Sequence, residues 1–507
     1  MMTFELFCQL AAEYNLIPVY RREIADIDTP VSVLAKLTAE TNVFLLESVE
    51  NSEQFGRYSF IGLNPRAIFT VEHNQPFYQP LPNGEKTLLP SPNGAFMALR
   101  ELLKSVSAPE LPELPPLFGG AVGFMGYEIV NQFETLPPPK ATPPVPEAAF
   151  MLTDEMIIFD NQKHIKIFSI CVRPAEFSSL RAAYDYAQQC LTLLSHKISR
   201  PSTVTAAPQA ANVQVSLTPE MSRDDYMAKV QKARQYIHDG ELIQLVLSQR
   251  FSGELSVDPL QLYRALRLVN PSPYTFYMKL GDNLLIGSSP ETLCKLDHQT
   301  ATLRPIAGTR KRGINPAEDR RLADELLSDA KERAEHLMLV DLGRNDLGRI
   351  AAPGSVQLKN FMTVERYSHV MHLVSTIEAV PNPGIDAFDL VKAAFPAGTL
   401  SGAPKVRAMQ LIHELEESPR GAYGGAMGYF SYSHNMDLAI TIRTFEIRHG
   451  QVTVQAGAGI VFDSDPACEY EETCNKAAAL MKALKLAANN LLVDNAKGDF
   501  CCRQGGK

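Results

Sequence analysis

Two pairs of glutamates in the second half of the chain have the spacing of a helix face that could bind a metal ion. Glu332 and Glu335 are three residues apart, as are Glu469 and Glu472, and side chains at this spacing share one face of a helix. Mg²⁺ prefers oxygen ligands, keeps several waters and takes only one or two carboxylates directly. Two such faces meeting at one point could hold it. The alternative, which the spacing alone favours, is a solvated face with Glu472 paired to Lys476.

An arginine and a glycine-rich segment could bind a small acid. Arg443 lies in an apolar run that is typical of a buried strand, and a buried guanidinium needs a carboxylate or phosphate partner, from a ligand or from the chain itself. Gly457 and Gly459 flank Ala458 in the next strand-like segment. Glycines weaken a strand unless something must approach its backbone closely. A ligand carboxylate held by main-chain N–H groups is one such partner, and the pattern lacks the helix-opening G-x-G-x-x-G of a dinucleotide site.

One histidine and one Gly-Thr pair are weaker candidates. His372 could transfer protons near neutral pH, although a buried histidine that serves only packing is the more common situation. Gly308 and Thr309 could present a backbone and a hydroxyl to a ligand, but taken alone they predict only a turn. Gly398 to Lys405 is not a phosphate-binding loop, because no G-K-[ST] occurs in it.

The glutamates need helices to position them. Asn315 and the proline after it form a helix start, and apolar residues recur at helical spacing as far as Leu337, which predicts one helix carrying the first pair. A second helix is predicted from about Glu469 toward Leu486. Two strands are predicted between these helices, over Met436–Phe445 and Gln451–Phe462.

A faint internal repeat bears on the fold. Gly119–Phe124 is similar to Gly424–Tyr429, although a coincidence between glycine-rich strands is an alternative. The repeat predicts an α+β protein of two related halves, with antiparallel β-sheets packed face to face as a sandwich and helices on the outside.

Composition narrows the class of protein. The 507 residues are 45% hydrophobic and 21% charged with a net charge of −9, so a soluble globular protein is expected and nucleic-acid binding is not. No run reaches the 18 apolar residues of a membrane span, and the start lacks a signal peptide's pattern. The eight cysteines are scattered without zinc spacing, which favours a reduced, cytoplasmic protein.

The chain is expected to divide into four parts. Residues 1–198 form an N-terminal regulatory and structural region, and the small, polar residues 199–216 a linker. Residues 217–490 are the catalytic region, and 491–507 a disordered tail.

Taken together and in this order, the motifs resemble those of the chorismate-utilising enzymes. The similarity covers roughly residues 218–485 strongly and 40–170 more loosely. The segments that carry it are Pro305–Thr309, Glu332–His336, Val340–Asp346, His372, Phe395–Lys405, Gly421–Gly425, Arg443 and Gly457–Lys476.

Two positions distinguish activities within this family. Members that make aminodeoxychorismate for folate usually have a lysine where this chain has Ala307, and isochorismate-forming members have one where it has Gln244. The absence of both lysines implies the anthranilate-forming activity, in which chorismate is aminated and loses pyruvate for tryptophan biosynthesis. An aminodeoxychorismate-forming enzyme and a non-catalytic tryptophan-sensing relative are the alternatives.

The resemblance also implies a role for each candidate residue. Glu335 and Glu472 would be the Mg²⁺ ligands, with Glu332 and Glu469 supporting them. The residues that would grip the two carboxylates of chorismate are Tyr423, Arg443, Gly457, Ala458, Gly459 and Lys476. Gly308 and Thr309 would line the ring pocket. His372 and Glu291 would be the acid–base pair, with Gln244 the third residue of the catalytic group.

A partner subunit and an inhibitor are implied as well. The chain lacks the Gly-x-Cys-x-Gly motif of a glutamine amidotransferase, so ammonia is expected from a separate glutaminase subunit. Ser48 and the segment Pro273, Tyr274 and Thr275 resemble a tryptophan feedback site. Several relatives have methionine in place of Thr275, which leaves the strength of inhibition open.

Overall fold

The structure is a computed structural model that describes residues 2–49, 56–137, 140–141, 146–200, 216–367 and 370–491. Most of the expected linker (199–216) and of the expected tail (491–507) lies outside these ranges. Within them, no helix combines the length and the apolar character needed to cross a bilayer.

The strands are antiparallel and contain many apolar and β-branched residues. Those of the first 200 residues are β1 (Ile17–Ile24), β2 (Asn42–Glu47), β3 (Tyr58–Leu63), β4 (Ala67–Glu72), β5 (Gln75–Pro80), β6 (Thr87–Leu88), β7 (Gly120–Met125), β8 (Ala148–Thr153), β9 (Glu155–Asp160) and β10 (Ile165–Val172). Those of the remainder are β11 (Thr218–Pro219), β12 (Gln244–Glu254), β13 (Tyr274–Leu280), β14 (Asn283–Ser289), β15 (Thr292–Asp297), β16 (Thr300–Leu303), β17 (Ile306–Lys311), β18 (Gln357–Arg366), β19 (Val370–Ala379), β20 (Gly402–Ala403), β21 (Ala426–Ser431), β22 (Met436–Ile440), β23 (Thr444–Arg448) and β24 (Gln451–Ile460).

The described strands form two twelve-stranded sheets, and both halves of the chain contribute to each. The first sheet has the order β1-β10-β9-β3-β2-β13-β14-β23-β24-β12-β11, with β20 beside β12. The second has the order β17-β19-β16-β15-β22-β21-β7-β8-β4-β5-β6, with β18 beside β19. The repeated glycine segments form the central pair of the second sheet, where Gly123 lies opposite Gly428. The predicted α+β sandwich of related halves is confirmed.

Helices cover the outer faces of the sheets. They are α1 (Phe4–Ala11), α2 (Pro30–Ala35), α3 (Met97–Lys104), α4 (Leu180–Ser199), α5 (Arg223–His238), α6 (Pro259–Val269), α7 (Pro316–Ser328), α8 (Ala330–Gly348), α9 (Ala387–Ala394), α10 (Lys405–Leu415) and α11 (Pro466–Ala488).

The core between the sheets follows from the two-residue period of a strand. On β7, Val122 and Phe124 point inward and share a cluster with Phe44 of the first sheet. Ala121 and Met125 point outward and join the cluster beneath α3 and α9. Strands buried on both faces explain why so much of this sequence is apolar without alternation.

Two sequence-based boundaries are wrong. The predicted helix from Asn315 is two helices, because Asp329 ends α7 and caps α8 by accepting the N–H groups of Lys331 and Glu332. The predicted strand Met436–Phe445 is also two strands, β22 and β23, which belong to different sheets.

Candidate active site

A cavity of about 840 Å³ lies where the two sheets meet helix α11. Six of the residues singled out in the sequence contribute to its wall: Pro273, Thr309, His372, Arg443, Glu472 and Lys476. The cavity therefore combines a guanidinium, an ammonium group, a carboxylate and an imidazole, which suits a small dianionic ligand.

Arg443 is in the connection that crosses from one sheet to the other, not within a strand as predicted. Its backbone is left-handed, with a φ of 50°, and its carbonyl accepts the N–H of Ser288 at 3.2 Å. A guanidinium N–H donates to Oδ1 of Asn270 at 2.9 Å. The crossing places the charge at the seam between the sheets.

Glu291 lies in a second crossing, from β14 in the first sheet to β15 in the second. Burial raises the pKa of its carboxyl to about 8, while the hydroxyl of Thr399 and the charge of Arg443 act in the opposite direction. Thr399 donates to Oε1 of Glu291 at 2.9 Å. Glu291 is thus protonated at neutral pH and suited to donate a proton.

His372 on β19 has the complementary property. Burial lowers its pKa to about 4, so the imidazole is neutral at pH 7. Its Nδ1 lies 3.1 Å from the carbonyl oxygen of Gly308 and 3.0 Å from Oγ1 of Thr309. A carbonyl only accepts, so we assign the proton to Nδ1, which leaves Nε2 as the basic nitrogen.

Gly308 has a structural role that the sequence did not reveal. It has a φ of +65° at a β-bulge, where the register of β17 against β19 shifts between Ala307 and Thr309. The bulge turns the hydroxyl of Thr309 toward His372. The expectation of a simple turn here is wrong.

The glutamates of the two helices face one another. The pKa of Glu335 is raised, first by burial and then by the negative charges of Glu332 and Glu472, and a hydrogen bond from Gln244 partly offsets this. Burial and the charge of Glu472 also raise the pKa of Glu469. Carboxylates that repel one another across two helices are stabilised by a cation between them.

Two of these carboxylates have cationic partners. Arg310 donates to Glu332 at 3.2 Å, and Lys476 lies 2.7 Å from Glu472, both side chains being about half exposed (52% and 47%). Lys476 also donates to the carbonyl oxygen of Gly457 at 2.8 Å. Among the described residues, Glu335 has no ion pair of this kind and accepts a hydrogen bond from Gln244, so it is the carboxylate best placed to take a metal ion.

The donor set fits a hydrated ion better than a fully caged one. Across the described ranges, no three His, Cys, Asp or Glu side chains converge tightly enough to hold a metal by themselves. Mg²⁺ commonly uses one or two carboxylates and fills its octahedron with waters and substrate oxygens. The charge of Glu472 raises the pKa of Glu335, so these two carboxylates are the candidates for such an ion.

The glycines of β24 make room for side chains. A Cβ on Gly457 would lie 2.7 Å from the hydroxyl of Tyr423, and one on Gly459 would lie 2.6 Å from Nε2 of Gln244. Ala458 points to the opposite face and is buried in the cluster beneath α5 and α10. Only its backbone can face the site.

The two segments expected to bind tryptophan are adjacent. Strands β2 and β13 pair so that Glu47 lies opposite Thr275, and the N–H of Val49 donates to the carbonyl of Ser272 at 3.2 Å. The hydroxyl of Ser48 is buried and has no partner among the described residues. A buried hydroxyl without a hydrogen bond lowers the stability of the fold unless a ligand or a water molecule bonds to it.

Members of the second segment point in different directions. Thr275 is 1% exposed and bonds to Ser288 at 3.2 Å. Tyr274 points to the other face of the strand, where its hydroxyl contacts Thr292 and Asp437, each at 2.9 Å. Sequence reasoning grouped these side chains, and the two-residue period of the strand separates them.

Sequence reasoning missed the residues that hold the site in place. Asn270 binds Arg443, and Thr399 binds Glu291. Arg420 is 2% exposed and forms a buried ion pair with Glu416 at 2.8 Å. Arg420 lies three residues before Tyr423, but nothing in its local sequence indicates burial.

The chain is similar to known proteins over nearly its whole length. A family model described as "chorismate binding enzyme" matches residues 41–482. The anthranilate synthase component 1 of Acetivibrio thermocellus is 43% identical over 492 residues, covering 94% of this chain and 97% of that protein. That of Synechocystis is also 43% identical, over 506 residues, covering 95% and 98%.

Two solved structures have similar folds. The anthranilate synthase component I of Streptococcus pneumoniae superposes with a TM-score of 0.73 at 36% identity, covering 91% of this chain and 99% of that one. The menaquinone-specific isochorismate synthase of Escherichia coli has a TM-score of 0.68 at 20% identity, covering 95% and 98%. The second similarity concerns the fold alone.

Proposed function

Because the chain belongs to the chorismate-binding enzyme family, we propose that it converts chorismate and ammonia into anthranilate and pyruvate for tryptophan biosynthesis. The observation that carries the proposal is a protonated Glu291 and a neutral His372, both influenced by the charge of Arg443, in a chain that has Ala307 and Gln244 at the positions of the two family lysines. Full-length similarity to proteins named anthranilate synthase component 1 supports it.

Chorismate is a dianion, and the cavity offers separated cations for its two carboxylates. Arg443 can form a bidentate pair with one of them. Lys476 is tied to the carbonyl of Gly457 and can give a further N–H to a ligand. Tyr423 and the backbone of Gly457–Gly459 complete the binding site for the two carboxylates.

Glu335 and Glu472 would hold Mg²⁺, with Glu332 and Glu469 supporting them. When bound, it supplies positive charge to the ring carboxylate and withdraws electrons from the ring. Gln244 donates its Nε2–H to Glu335, and its Oε1 has no donor among the described residues. That oxygen is able to orient an N–H of the incoming ammonia.

The proton transfers balance with the two titratable groups. Ammonia adds to the ring, Glu291 gives its proton to the leaving hydroxyl, which departs as water, and the added nitrogen returns one proton to Glu291. Nε2 of His372 then removes the ring proton as the C–O bond to the enolpyruvyl group breaks, and that proton passes to the methylene carbon of the departing group, which becomes pyruvate. Chorismate and ammonia thus give anthranilate, pyruvate and water.

The regulatory and subunit roles belong to the same proposal. Ammonia comes from a glutaminase subunit, tryptophan binds beside Ser48 and Pro273–Thr275, and the protein acts in the cytoplasm. The hydroxyl of Ser48, which has no partner in the described part of the chain, and the pairing of the two segments support the inhibitor site. Thr275 is already bonded to Ser288, so we expect weaker contact with the inhibitor there.

One incubation tests the reaction. With chorismate, ammonium and Mg²⁺, the purified chain should release fluorescent anthranilate and an equal amount of pyruvate. Accumulation of aminodeoxychorismate instead would show the folate-type activity. Glu335→Gln should abolish Mg²⁺-dependent turnover, whereas a non-catalytic tryptophan sensor would bind tryptophan equally well with and without that substitution.

A further inference from the structure

The ring of Tyr367 lies next to His372 in the wall of the catalytic cavity. The centroids of the two rings are 5.5 Å apart, and the ring planes are inclined by 57°. The contacts of the imidazole with Gly308 and Thr309 are both made at Nδ1. Contacts at one nitrogen leave the far end of the ring able to tilt, and the ring of Tyr367 restricts that tilt.

The periodicity of β18 places Tyr367 on the same face of the sheet as His372. Glu365 lies opposite His372 in the pairing of β18 with β19, and opposite residues of an antiparallel pair project to one face. Tyr367 follows Glu365 by two positions and therefore shares that face. Arg366, between them, projects to the other face and donates to Asp319 of α7 at 3.2 Å.

The hydroxyl of Tyr367 is anchored by a carboxylate. It donates to Oε2 of Glu365 at 2.7 Å. The other oxygen of that carboxylate, Oε1, accepts from Arg304 at 2.5 Å, and Arg304 is itself buried. Hydrogen bonds between a guanidinium and a carboxylate are among the stronger ones in proteins, so Glu365 is a fixed anchor for the phenol.

The backbone of Tyr367 is held as well. Its N–H donates to the carbonyl oxygen of Val370 on β19 at 2.8 Å. Its carbonyl oxygen accepts from Arg312 at 2.5 Å, and Arg312 is paired with Asp319 at 2.7 Å. The ring is thus fixed at both ends, and it cannot move away from the imidazole without breaking these contacts.

The orientation of Tyr367 favours a positioning role over proton transfer. Its hydroxyl is turned to Glu365, so the ring, and not the oxygen, lies against His372. An aromatic ring packed at an angle against another ring restricts the orientation of both.

We propose that Tyr367 is a positioning residue that holds the imidazole of His372 in the orientation needed to remove the ring proton. This role rests on the proposed function, in which His372 acts in the elimination of pyruvate and not in the amination before it. Loss of the ring of Tyr367 therefore slows the second step and leaves the first nearly intact.

Tyr367→Leu tests this role in an incubation with chorismate, ammonium and Mg²⁺. We expect the kcat for anthranilate to fall by about 100-fold, the effect of a misplaced catalytic group, with little change in the KM for chorismate. The aminated intermediate should be released, so its ratio to anthranilate should rise above that of the wild type. Chorismate with deuterium on the carbon that receives the nitrogen should show a larger isotope effect on kcat, because proton removal becomes rate-limiting.

Tyr367→Phe is the conservative variant, because it keeps the ring and loses only the hydrogen bond to Glu365. Its kcat should fall by no more than about tenfold, with a smaller rise in released intermediate. Tyr236→Phe is the matched control, since the hydroxyl of Tyr236 donates to Glu414 at the same 2.7 Å in an exposed pair on α5. It should change neither kcat nor the ratio.

The measurements decide between the possible results. The proposal is overturned if Tyr367→Leu keeps the wild-type kcat, or if it slows both steps equally without a change in the ratio or the isotope effect. If Tyr367→Leu does not fold, Tyr367→Phe carries the same test through the released intermediate. A wild-type chain that forms no anthranilate counts against the proposed function instead, which distinguishes the two failures.

Discussion

At the scale of single residues, burial shifts the pKa values of two titratable groups in the site in opposite directions. The pKa of Glu291 is raised to about 8 and that of His372 is lowered to about 4. Each group is therefore uncharged at neutral pH, one as an acid and the other as a base. Groups whose surroundings shift their pKa values in opposite directions are the expected acid and base of a reaction.

The pH dependence of kcat/KM follows from these two groups. His372 is a neutral base above its pKa of about 4, and Glu291 is a protonated acid below its pKa of about 8. We expect a plateau between these values and a fall as the pH rises through about 8. Glu291→Gln should lower kcat by about 10²–10⁴-fold and remove the alkaline limb. If the alkaline limb persists in this variant, it is caused by the titration of another group.

Thr399 sets the position of that alkaline limb. Its hydroxyl donates to the carboxylate of Glu291 and so lowers the pKa. Thr399→Val should therefore shift the limb to higher pH, which a kcat/KM profile between pH 6 and 10 would resolve. Thr87→Val, at an exposed position of β6, should leave the profile unchanged. A shift to lower pH would contradict the assignment.

Residue types in the sequence pointed to His372 and Arg443 as candidates, and the family resemblance pointed to Glu291, but neither could indicate their hydrogen-bond partners. Asn270 lies 173 positions from Arg443 and Thr399 lies 108 from Glu291. Contacts at such separations depend on the sheet order, which local patterns do not encode.

At the scale of secondary-structure elements, the site depends on where elements stop. Arg443 lies in the link between β22 and β23, and Glu291 lies in the link between β14 and β15. The apolar run around Arg443 predicted one strand because both sheets are buried there and both demand apolar residues. The helix break at Asp329 was missed for a similar reason, since the helical periodicity continues through it.

Gly457 tests the role of β24. Gly457→Ala places a methyl group 2.7 Å from the hydroxyl of Tyr423. The side chain of Tyr423 must then move away from the proposed binding site for chorismate. We expect the KM for chorismate to rise by about tenfold, equivalent to roughly 1.4 kcal/mol. Gly348→Ala is the control, because nothing lies within 4 Å of its added Cβ. Equal effects of the two substitutions would indicate general destabilisation.

At the scale of the whole molecule, one buried ion pair joins segments that are distant in sequence. Arg420 donates to the carbonyl of Leu400 at 2.7 Å, to that of Val246 at 2.9 Å and to Glu416. Glu128, from the first half of the chain, accepts the backbone N–H of Arg420 at 2.7 Å. The segment that carries Tyr423 is thereby fixed to both halves, so its geometry depends on the complete sandwich.

Replacing Arg420 should therefore destabilise the entire fold. Arg420→Met leaves the carboxylate of Glu416 buried and without its cation, which should lower the free energy of unfolding by about 3–5 kcal/mol in urea titrations. Arg181→Met removes an ion pair in which both side chains are more than half exposed, at 64% and 54%, and should leave the stability almost unchanged. Adding Glu416→Gln to Arg420→Met should recover part of the loss, because the unpaired charge is then gone. If the double variant were as unstable as the sum of the two single ones, the pair would not be coupled, and the link between the halves would have to lie elsewhere.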